Sequence, residues 1–243
     1  NKTRYVFTLE QRSTQALAPK VIKGQTYLLV GGSGSVGLIL AKHLVNTHGA
    51  NVILTGQRSK NLSYAAQEYL AGALANIEYI QYDSTKADST NSTFRNISPR
   101  INCVVYLAGT LKQQSFHSES YMSGYDSILQ KSATMIDIIE CFREADLKPK
   151  YIVFSSVTSL IGASEYSAYA ASNSLCESIA AMLKKKYCSD ITVVSWPLWL
   201  ETKMAQHFDY EKIEHSLDFE LFDTPKALRY FDWCLNNQKS GIY

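Results

Sequence analysis

The sequence predicts a doubly wound α/β fold with a parallel β-sheet, and three observations support this prediction. Short apolar runs alternate with longer amphipathic segments along most of the 243 residues. The apolar runs are continuous rather than alternating, which is typical of strands covered by helices on both faces. A glycine-rich stretch, GGSGSVG at 31–37, directly follows the first apolar run and precedes the first helical pattern.

The predicted elements follow one another in strict alternation. The strand candidates span 26–30, 51–55, 77–82, 102–107, 150–155 and 191–196. The helical patterns span 36–47, 63–74, 120–145 and 167–187. This spacing indicates strand–helix–strand units and therefore a parallel sheet. The tail 240–243 has the composition of a further strand start, and residues 1–23 are expected to form a separate piece.

Composition excludes several classes of protein. A net charge of +2 without long charged blocks argues against nucleic-acid binding. No apolar run reaches the roughly 18 residues of a membrane span, and the first residues lack the apolar stretch of a signal peptide. The five cysteines are scattered without a CxxC pair, so neither structural zinc nor a disulfide framework is expected. A cytoplasmic protein without a metal site fits these features best.

The glycine-rich stretch is the predicted phosphate-binding loop of a Rossmann-type fold. Its spacing, Gly32-x-Gly34-x-x-Gly37, stands between a strand and a helix, where glycines permit a tight turn and close approach of a pyrophosphate. The alternative is a glycine-rich turn that binds nothing. The candidate cofactor-binding residues of this loop are Gly31, Gly32, Ser33, Gly34, Ser35, Val36 and Gly37.

The end of the second strand indicates the choice of cofactor. An acidic residue at this point would hold the ribose hydroxyl of NAD, but the sequence has TGQRSK at 55–60. Arg58 and Lys60 can pair with a 2′-phosphate, which favours NADPH. The alternative is a solvated basic loop.

Two further pairs of residues follow the third and fourth strands. Asp83 and Ser84 are placed to contact the adenine, and Ala108 and Gly109 permit close approach of the nicotinamide ribose. Asp83 could equally be a helix cap, and Gly109 merely a turn residue.

A candidate catalytic group lies at the end of the fifth strand and in the helix that follows. Ser156 is at the tip of the strand, and Tyr169 and Asn173 share one helical face. Ketone reduction needs a proton donor, and a tyrosine serves when a nearby ammonium lowers its pKa. Lys131 lies beside the apolar stripe of the preceding helix and is the candidate ammonium. From periodicity alone, a surface lysine extending its stem over that stripe is the favoured alternative.

Four stretches together resemble the ketoreductase domain of a modular polyketide synthase. They are GGSGSVG (31–37), VVYLAGTL (104–111), FSSVTSLIGASEYSAYAASN (154–173) and VVSWPLWLETKMA (193–205), and the similarity covers roughly residues 24–243. The resemblance implies a short-chain dehydrogenase/reductase architecture. It also implies that lysine and asparagine exchange places relative to ordinary members, which have Y-x-x-x-K. Lys131 then supplies the ammonium, and Asn173 positions Lys131 or a relay water.

The resemblance implies roles for other parts of the chain. Residues 1–23 are similar to the last strand and linker of a preceding structural subdomain, residues 24–243 to the catalytic subdomain, and residues 200–220 to a mobile lid. Pro197 is expected at the cofactor. The candidate substrate-contacting residues are Leu111, Lys112, Gln113, Ile161, Trp199 and Met204.

Stereochemistry is indicated by two departures from the family pattern. Leu111-Lys112-Gln113 stands where many relatives that form the D-alcohol have Leu-Asp-Asp, and Ile161 stands where the opposite class has a marker tryptophan. The missing aspartates favour the L-alcohol.

The resulting hypothesis is NADPH-dependent reduction of a ketoacyl thioester. The substrate would arrive on the phosphopantetheine arm of an acyl carrier protein, among other domains of a polyketide synthase. One alternative is an NADPH-binding scaffold or epimerase domain that does not reduce. Others are a free-standing reductase or sugar-nucleotide epimerase, which normally has Y-x-x-x-K, and a nucleotide-sensing regulator that binds the cofactor without turnover.

Overall fold

A computed structural model describes most of the chain. The described residues are 23–57, 60–86, 89–109, 121–162, 165–202, 205, 220–236 and 241–243. The predicted site residues Arg58, Leu111, Lys112, Gln113 and Met204 lie outside these residues. So do all but the last residue of the predicted N-terminal piece and most of the predicted lid.

A six-stranded parallel sheet forms the centre of the fold. Its strands are β1 (Thr26–Val30), β2 (Asn51–Gly56), β3 (Ile77–Gln81), β4 (Cys103–Tyr106), β5 (Lys150–Ser156) and β6 (Ile191–Trp196). Their order is β3-β2-β1-β4-β5-β6, and all neighbours pair in parallel. The predicted doubly wound sheet is confirmed. Because strand order reverses between β1 and β4, a crevice opens at their carboxyl ends.

Seven α-helices connect or flank these strands within the described residues. They are α1 (Ser35–His48), α2 (Tyr64–Tyr69), α3 (Ser89–Phe94), α4 (Tyr121–Glu144), α5 (Thr158–Ile161), α6 (Ser167–Tyr187) and α7 (Thr224–Asn236). Helices α3, α5 and α7 were not predicted from the sequence, and α2 is shorter than predicted. After α2 the chain turns through Gly72, whose φ of 86° a helix does not allow. None of the described helices has the length and apolarity needed to cross a membrane.

Two apolar clusters cover the two faces of the sheet. Leu28 and Val104 belong to the cluster beneath α4 and α6, whereas Leu29 and Val105 belong to the cluster beneath α1 and α7. Successive strand residues point to opposite faces, so a strand covered on both sides is apolar throughout. The burial of these side chains explains the continuous apolar runs of the strands, except in the edge strand β3, whose residues are all exposed or partly exposed.

The C-terminal tail extends the sheet beyond β6. Ile242 forms a parallel bridge with Val193, and the amide of Tyr243 donates to the carbonyl of Val193 at 2.9 Å. The amide of Val193 in turn donates to the carbonyl of Gly241 at 2.8 Å. The strand-like character predicted for 240–243 is therefore confirmed at 241–243.

A largely buried cluster of polar side chains joins α1 to α7. The Nε2 atoms of His43 and His48 both lie 2.9 Å from Oδ1 of Asp232. Burial raises the pKa of Asp232, but hydrogen bonds and charge from the two histidines outweigh this effect, and the pKa lies below its ordinary value. The three groups are close enough together to hold a metal ion, with ligand atoms within 4.8 Å of one another. Hydrogen bonds already pair them.

We expect Asp232→Asn to lower the free energy of unfolding at pH 7 by about 1–2 kcal/mol, because charged hydrogen bonds to both histidines are weakened. The lowered pKa means that the native state binds the Asp232 proton less tightly than the unfolded state does. The stabilisation is therefore complete above the ordinary carboxyl pKa and declines as the pH falls through the native pKa. Urea unfolding of both proteins between pH 3 and 7 measures this. A difference that does not shrink towards pH 3 would contradict it.

Candidate active site

The glycine-rich loop lies at the crevice between β1 and β4. Gly31 has a φ of 79°, and a Cβ there would lie 3.0 Å from Cα of Ala108. Its amide donates to Oγ1 of Thr55 at 3.1 Å, and the amide of Ser33 donates to the carbonyl of Thr55 at 3.2 Å. The structure thus brings the predicted loop after β1 into contact with the predicted turn after β4.

The loop also packs directly against the start of α1. A Cβ on Gly37 would lie 2.3 Å from the carbonyl oxygen of Gly32, so only glycine permits this approach. Helix α1 begins at Ser35 with no capping side chain and no acidic residue in its first turn. The amides of the first helical turn and the positive end of the helix dipole favour an anion at this position. This cradle fits the pyrophosphate of a dinucleotide.

The predicted adenine-contacting residues lie at the end of β3. The Oδ1 atom of Asp83 accepts hydrogen bonds from the Thr85 hydroxyl at 2.7 Å and from Nε2 of Gln57 at 2.8 Å. These bonds hold the pKa of Asp83 below its ordinary value. Asp83 thus stabilises the turn after β3, and its contact with adenine stays a prediction. Oγ of Ser84 lies 3.5 Å from Nε2 of Gln130, and Lys60 is exposed.

The structure brings Lys131, on α4, to the helix that carries Tyr169 and Asn173. The Nζ atom of Lys131 donates to Oδ1 of Asn173 at 2.6 Å and to the carbonyl of Phe154 at 2.9 Å. Lys131 is only 8% exposed, and Asn173 is fully buried. The alternative of a surface lysine is therefore wrong. A Cβ on Gly109 would lie 3.7 Å from this amino group, so the end of β4 also borders it.

Tyr169 is linked to Lys131 through Asn173. Nδ2 of Asn173 donates to the Tyr169 carbonyl at 2.9 Å, while Oδ1 of the same amide accepts from Lys131. Burial raises the pKa of Tyr169, and hydrogen bonds with Asn173 and Ser156 lower it only in part. The expectation that Lys131 lowers the pKa of Tyr169 below its ordinary value is therefore wrong, because burial outweighs the polar contacts. The phenol consequently retains its proton at neutral pH.

Ser156 ends β5 beside this group. Its Oγ accepts hydrogen bonds from the amide and the hydroxyl of Thr158, at 3.3 and 3.0 Å. The serine proton is not used in these two bonds. Ser156 also forms a hydrogen bond with Tyr169, so the two hydroxyls lie close enough together to contact one carbonyl oxygen.

The remaining predicted residues lie in different environments. Trp199 is 4% exposed and packs edge-on against Trp196, with ring centroids 5.1 Å apart. The prediction that it contacts substrate is corrected, since its indole belongs to the core beneath α7. Ile161 ends α5 and is 46% exposed, and Pro197 is partly buried directly after β6.

Glu177 is a buried site residue that the sequence analysis missed. It follows Asn173 by one helical turn on α6 and accepts hydrogen bonds from three serine hydroxyls. Tyr169, Asn173 and Glu177 are each four residues apart, and this spacing was visible in the sequence. The serines that converge on Glu177 were not, because they come from three separate elements.

Comparison with known proteins assigns the chain to a family. A family model described as the KR domain matches residues 25–201, which is more than half of the chain. The chain belongs to the KR-domain family. This family comprises ketoreductase domains of polyketide synthases, with a short-chain dehydrogenase/reductase fold. Membership supports an enzyme that reduces ketones, and the fold implies a nicotinamide cofactor.

Individual relatives agree with this assignment. Polyketide synthase PksM of Bacillus subtilis is 27% identical over 244 residues, which cover 98% of this chain and 6% of the relative. The reducing polyketide synthase grgA of a Penicillium species is 30% identical over 152 residues, which cover 61% of this chain and 6% of the relative. The chain thus corresponds to a small part of the curated relatives that it matches.

Solved structures show the same fold. A ketoreductase domain from the bacillaene assembly line superposes with a TM-score of 0.81 at 22% identity, covering 95% of this chain and 57% of that chain. A ketoreductase from the first module of phoslactomycin biosynthesis in a Streptomyces species gives 0.79 at 21% identity, covering 94% of this chain and 54% of that chain.

We expect Gly37→Ala to destabilise the protein by about 2–3 kcal/mol, because a methyl group cannot fit against the backbone of Gly32. Gly34→Ala is the matched control. A Cβ on Gly34 would meet only the carbonyl of Gly31 at an ordinary 3.6 Å, and the residue has a φ of −77°. Thermal unfolding of both variants without cofactor tests the contact. Equal melting temperatures for the two would contradict it.

Proposed function

We propose that the protein reduces the keto group of a ketoacyl thioester bound to an acyl carrier protein, using NADPH, and forms the L-configured hydroxyacyl thioester. The main support is the buried contact of Lys131 with Asn173, four residues after Tyr169 on the same helix. Together with Tyr169 and Ser156, this contact places a positive charge, a phenol and a serine hydroxyl at the crevice of a dinucleotide-binding fold. This combination suits proton donation to a carbonyl oxygen.

Four side chains at the crevice have separate roles in the proposed reduction. Ser156 donates its hydroxyl proton in a hydrogen bond to the substrate carbonyl oxygen and orients it. Tyr169 transfers its phenolic proton to this oxygen as negative charge develops. The ammonium of Lys131 stabilises the phenolate that remains, and Asn173 holds the ammonium in place. When bound, the nicotinamide supplies the hydride for the carbonyl carbon.

The preference for NADPH is supported by charge rather than by contacts in the structure. Arg58 and Lys60 follow β2, and TGQRSK itself contains no carboxylate, so a 2′-phosphate meets two cations in this stretch. The pyrophosphate would be held by the amides of residues 31–37 at the start of α1. Ala108 and Gly109 leave room beside Lys131 for the nicotinamide ribose.

The L-configuration is supported by sequence alone. Leu111-Lys112-Gln113 lacks the paired aspartates of many relatives that form the D-alcohol. Met204 and the lid remain proposed substrate contacts, together with Ile161, whose exposed side chain at the end of α5 suits this role. Residues 1–23 are proposed to close a preceding structural subdomain.

The partners are inferred from the relatives. These are polyketide synthases of which this chain covers only 4% and 6%, so we infer that the chain works beside other such domains, on a substrate carried by phosphopantetheine. The scattered cysteines support a location in the reducing cytoplasm. An NADPH-binding scaffold or epimerase remains the second candidate. Retention of both Lys131 and Tyr169 in one buried network argues against it, since binding alone needs neither.

Tyr169→Phe should abolish proton donation and lower turnover by about 100-fold or more, with little change in NADPH affinity. The assay follows NADPH oxidation with a short β-ketoacyl thioester of N-acetylcysteamine, and chiral chromatography separates the alcohols. Tyr166→Phe, a neighbouring phenol at the start of α6, is the control. Turnover of Tyr169→Phe at the rate of the unmodified protein would refute the role. A predominantly D-alcohol product would refute the stereochemical assignment.

Replacing Arg58 and Lys60 by alanine should weaken NADPH binding by about 10-fold to 100-fold while leaving NADH binding unchanged, because only NADPH has the 2′-phosphate. Fluorescence titration of both cofactors measures the ratio of dissociation constants. Lys148→Ala, before β5 at the opposite end of the sheet, is the control for charge alone. Equal losses for NADH and NADPH would rule out a 2′-phosphate site at these residues.

A further inference from the structure

Glu177 is a buried carboxylate directly behind the proposed catalytic group. It lies on α6, eight residues after Tyr169 and four after Asn173, so the three residues share one helical face. Glu177 is only 7% exposed. A carboxylate removed from water requires hydrogen-bond donors or a nearby positive charge. Both are present around Glu177.

Three serine hydroxyls donate to one oxygen of this carboxylate. The Oγ atoms of Ser155, Ser159 and Ser195 lie 2.5, 2.6 and 2.8 Å from Oε1 of Glu177. The serines come from β5, α5 and β6 respectively. Hydrogen bonds to a charged acceptor are roughly twice as strong as neutral ones. Glu177 therefore ties three elements to the helix that carries Tyr169.

Two of these bonds flank Ser156. Ser155 precedes Ser156 directly, and Ser159 follows Thr158, whose amide and hydroxyl both donate to Oγ of Ser156. The chain is thus fixed to Glu177 on both sides of Ser156. These anchors fix β5 and α5 to the helix of Tyr169 on either side of Ser156, in addition to the direct hydrogen bond between Ser156 and Tyr169.

Glu177 also acts on Lys131 through its charge. Burial lowers the pKa of Lys131, and the charges of Cys176 and Glu177 raise it. Burial raises the pKa of Cys176 itself, which keeps that thiol neutral. The other titratable groups here are Tyr169 on α6 and Tyr106 on β4, whose hydroxyl donates to the Lys131 carbonyl. Glu177 is the only carboxylate among these groups.

We propose that Glu177 is a positioning residue for the reduction, which holds Ser156 through the serine hydroxyls and keeps the ammonium of Lys131 charged. The kinetic part of this inference rests on the proposed function. The electrostatic part concerns Lys131 alone, and it can be measured without turnover.

Two substitutions separate the charge from the anchoring. Glu177→Gln keeps a carbonyl oxygen that accepts the serine hydroxyls but removes the charge. Glu177→Asp keeps the charge but withdraws it from the serines by one methylene. We expect Glu177→Gln to lower the pKa of Lys131 by about one unit and Glu177→Asp to leave it nearly unchanged. Glu68→Gln, an exposed glutamate on α2, is the matched charge control.

The first measurement is the titration of lysine Cε signals by carbon-13 NMR in cofactor-free protein, with Lys131→Arg to assign the signal. The second is the pH profile of turnover with the N-acetylcysteamine thioester. In Glu177→Gln, the pH above which turnover declines should be lower, because the pKa of Lys131 is lower. In Glu177→Asp, turnover should fall by about 10-fold to 100-fold, because Ser156 is misplaced, while NADPH affinity is retained.

An unchanged Lys131 titration in Glu177→Gln would overturn the electrostatic part, and full turnover in Glu177→Asp would overturn the anchoring. If Glu177→Asp fails to fold, Ser159→Ala tests the anchoring, because it removes one of the two bonds that flank Ser156. Slower turnover at unchanged NADPH affinity would support the anchoring, and full turnover would overturn it. Absence of turnover in the unmodified protein would count against the proposed function. The NMR titration would still show whether the charge of Glu177 raises the pKa of Lys131.

Discussion

The hydrogen bond from Lys131 to Asn173 is the contact on which the rest of the site depends. A buried ammonium is costly unless oxygen acceptors replace water, and here Oδ1 of Asn173 and the carbonyl of Phe154 lie within 2.9 Å of Nζ. This pairing joins α4, β5 and α6 at a single atom. It delivers a positive charge to the helix of Tyr169 although residue 173 on that helix is not a lysine. The order of residues in the chain matters less than where the charge lies.

Glycine residues, rather than polar side chains, determine the shape of the crevice at the end where the cofactor is expected. Gly31 touches Ala108, and Gly37 touches Gly32, so the loop, the start of α1 and the end of β4 meet closely. Gly109 borders the amino group of Lys131 at the same place. A dinucleotide held at the glycines would therefore extend towards Ser156 and Tyr169. Reversal of strand order between β1 and β4 is what places both halves at one edge of the sheet.

Local sequence patterns predicted the sheet and the reacting residues. Contacts between residues far apart in the chain could not be predicted in this way. All six strands were visible as apolar runs, and Tyr169 and Asn173 as an i, i+4 pair. Helix α2 was overextended because Gly72 is a weak stop signal beside a helical composition. The substrate contact of Trp199 was predicted from the family resemblance alone, and no local signal in the sequence indicated that its indole is buried in the core. Burial of Lys131 could be inferred only from family resemblance.

The most direct test of the account is the turnover of Lys131→Met, which keeps the length of the side chain and removes its charge. NADPH oxidation with the N-acetylcysteamine β-ketoacyl thioester, together with the dissociation constant of NADPH and thermal unfolding, provides the comparison. The account predicts a loss of turnover of about 100-fold or more in a folded protein that still binds NADPH. Turnover within a few-fold of the unmodified protein would show that the charge near Tyr169 comes from elsewhere.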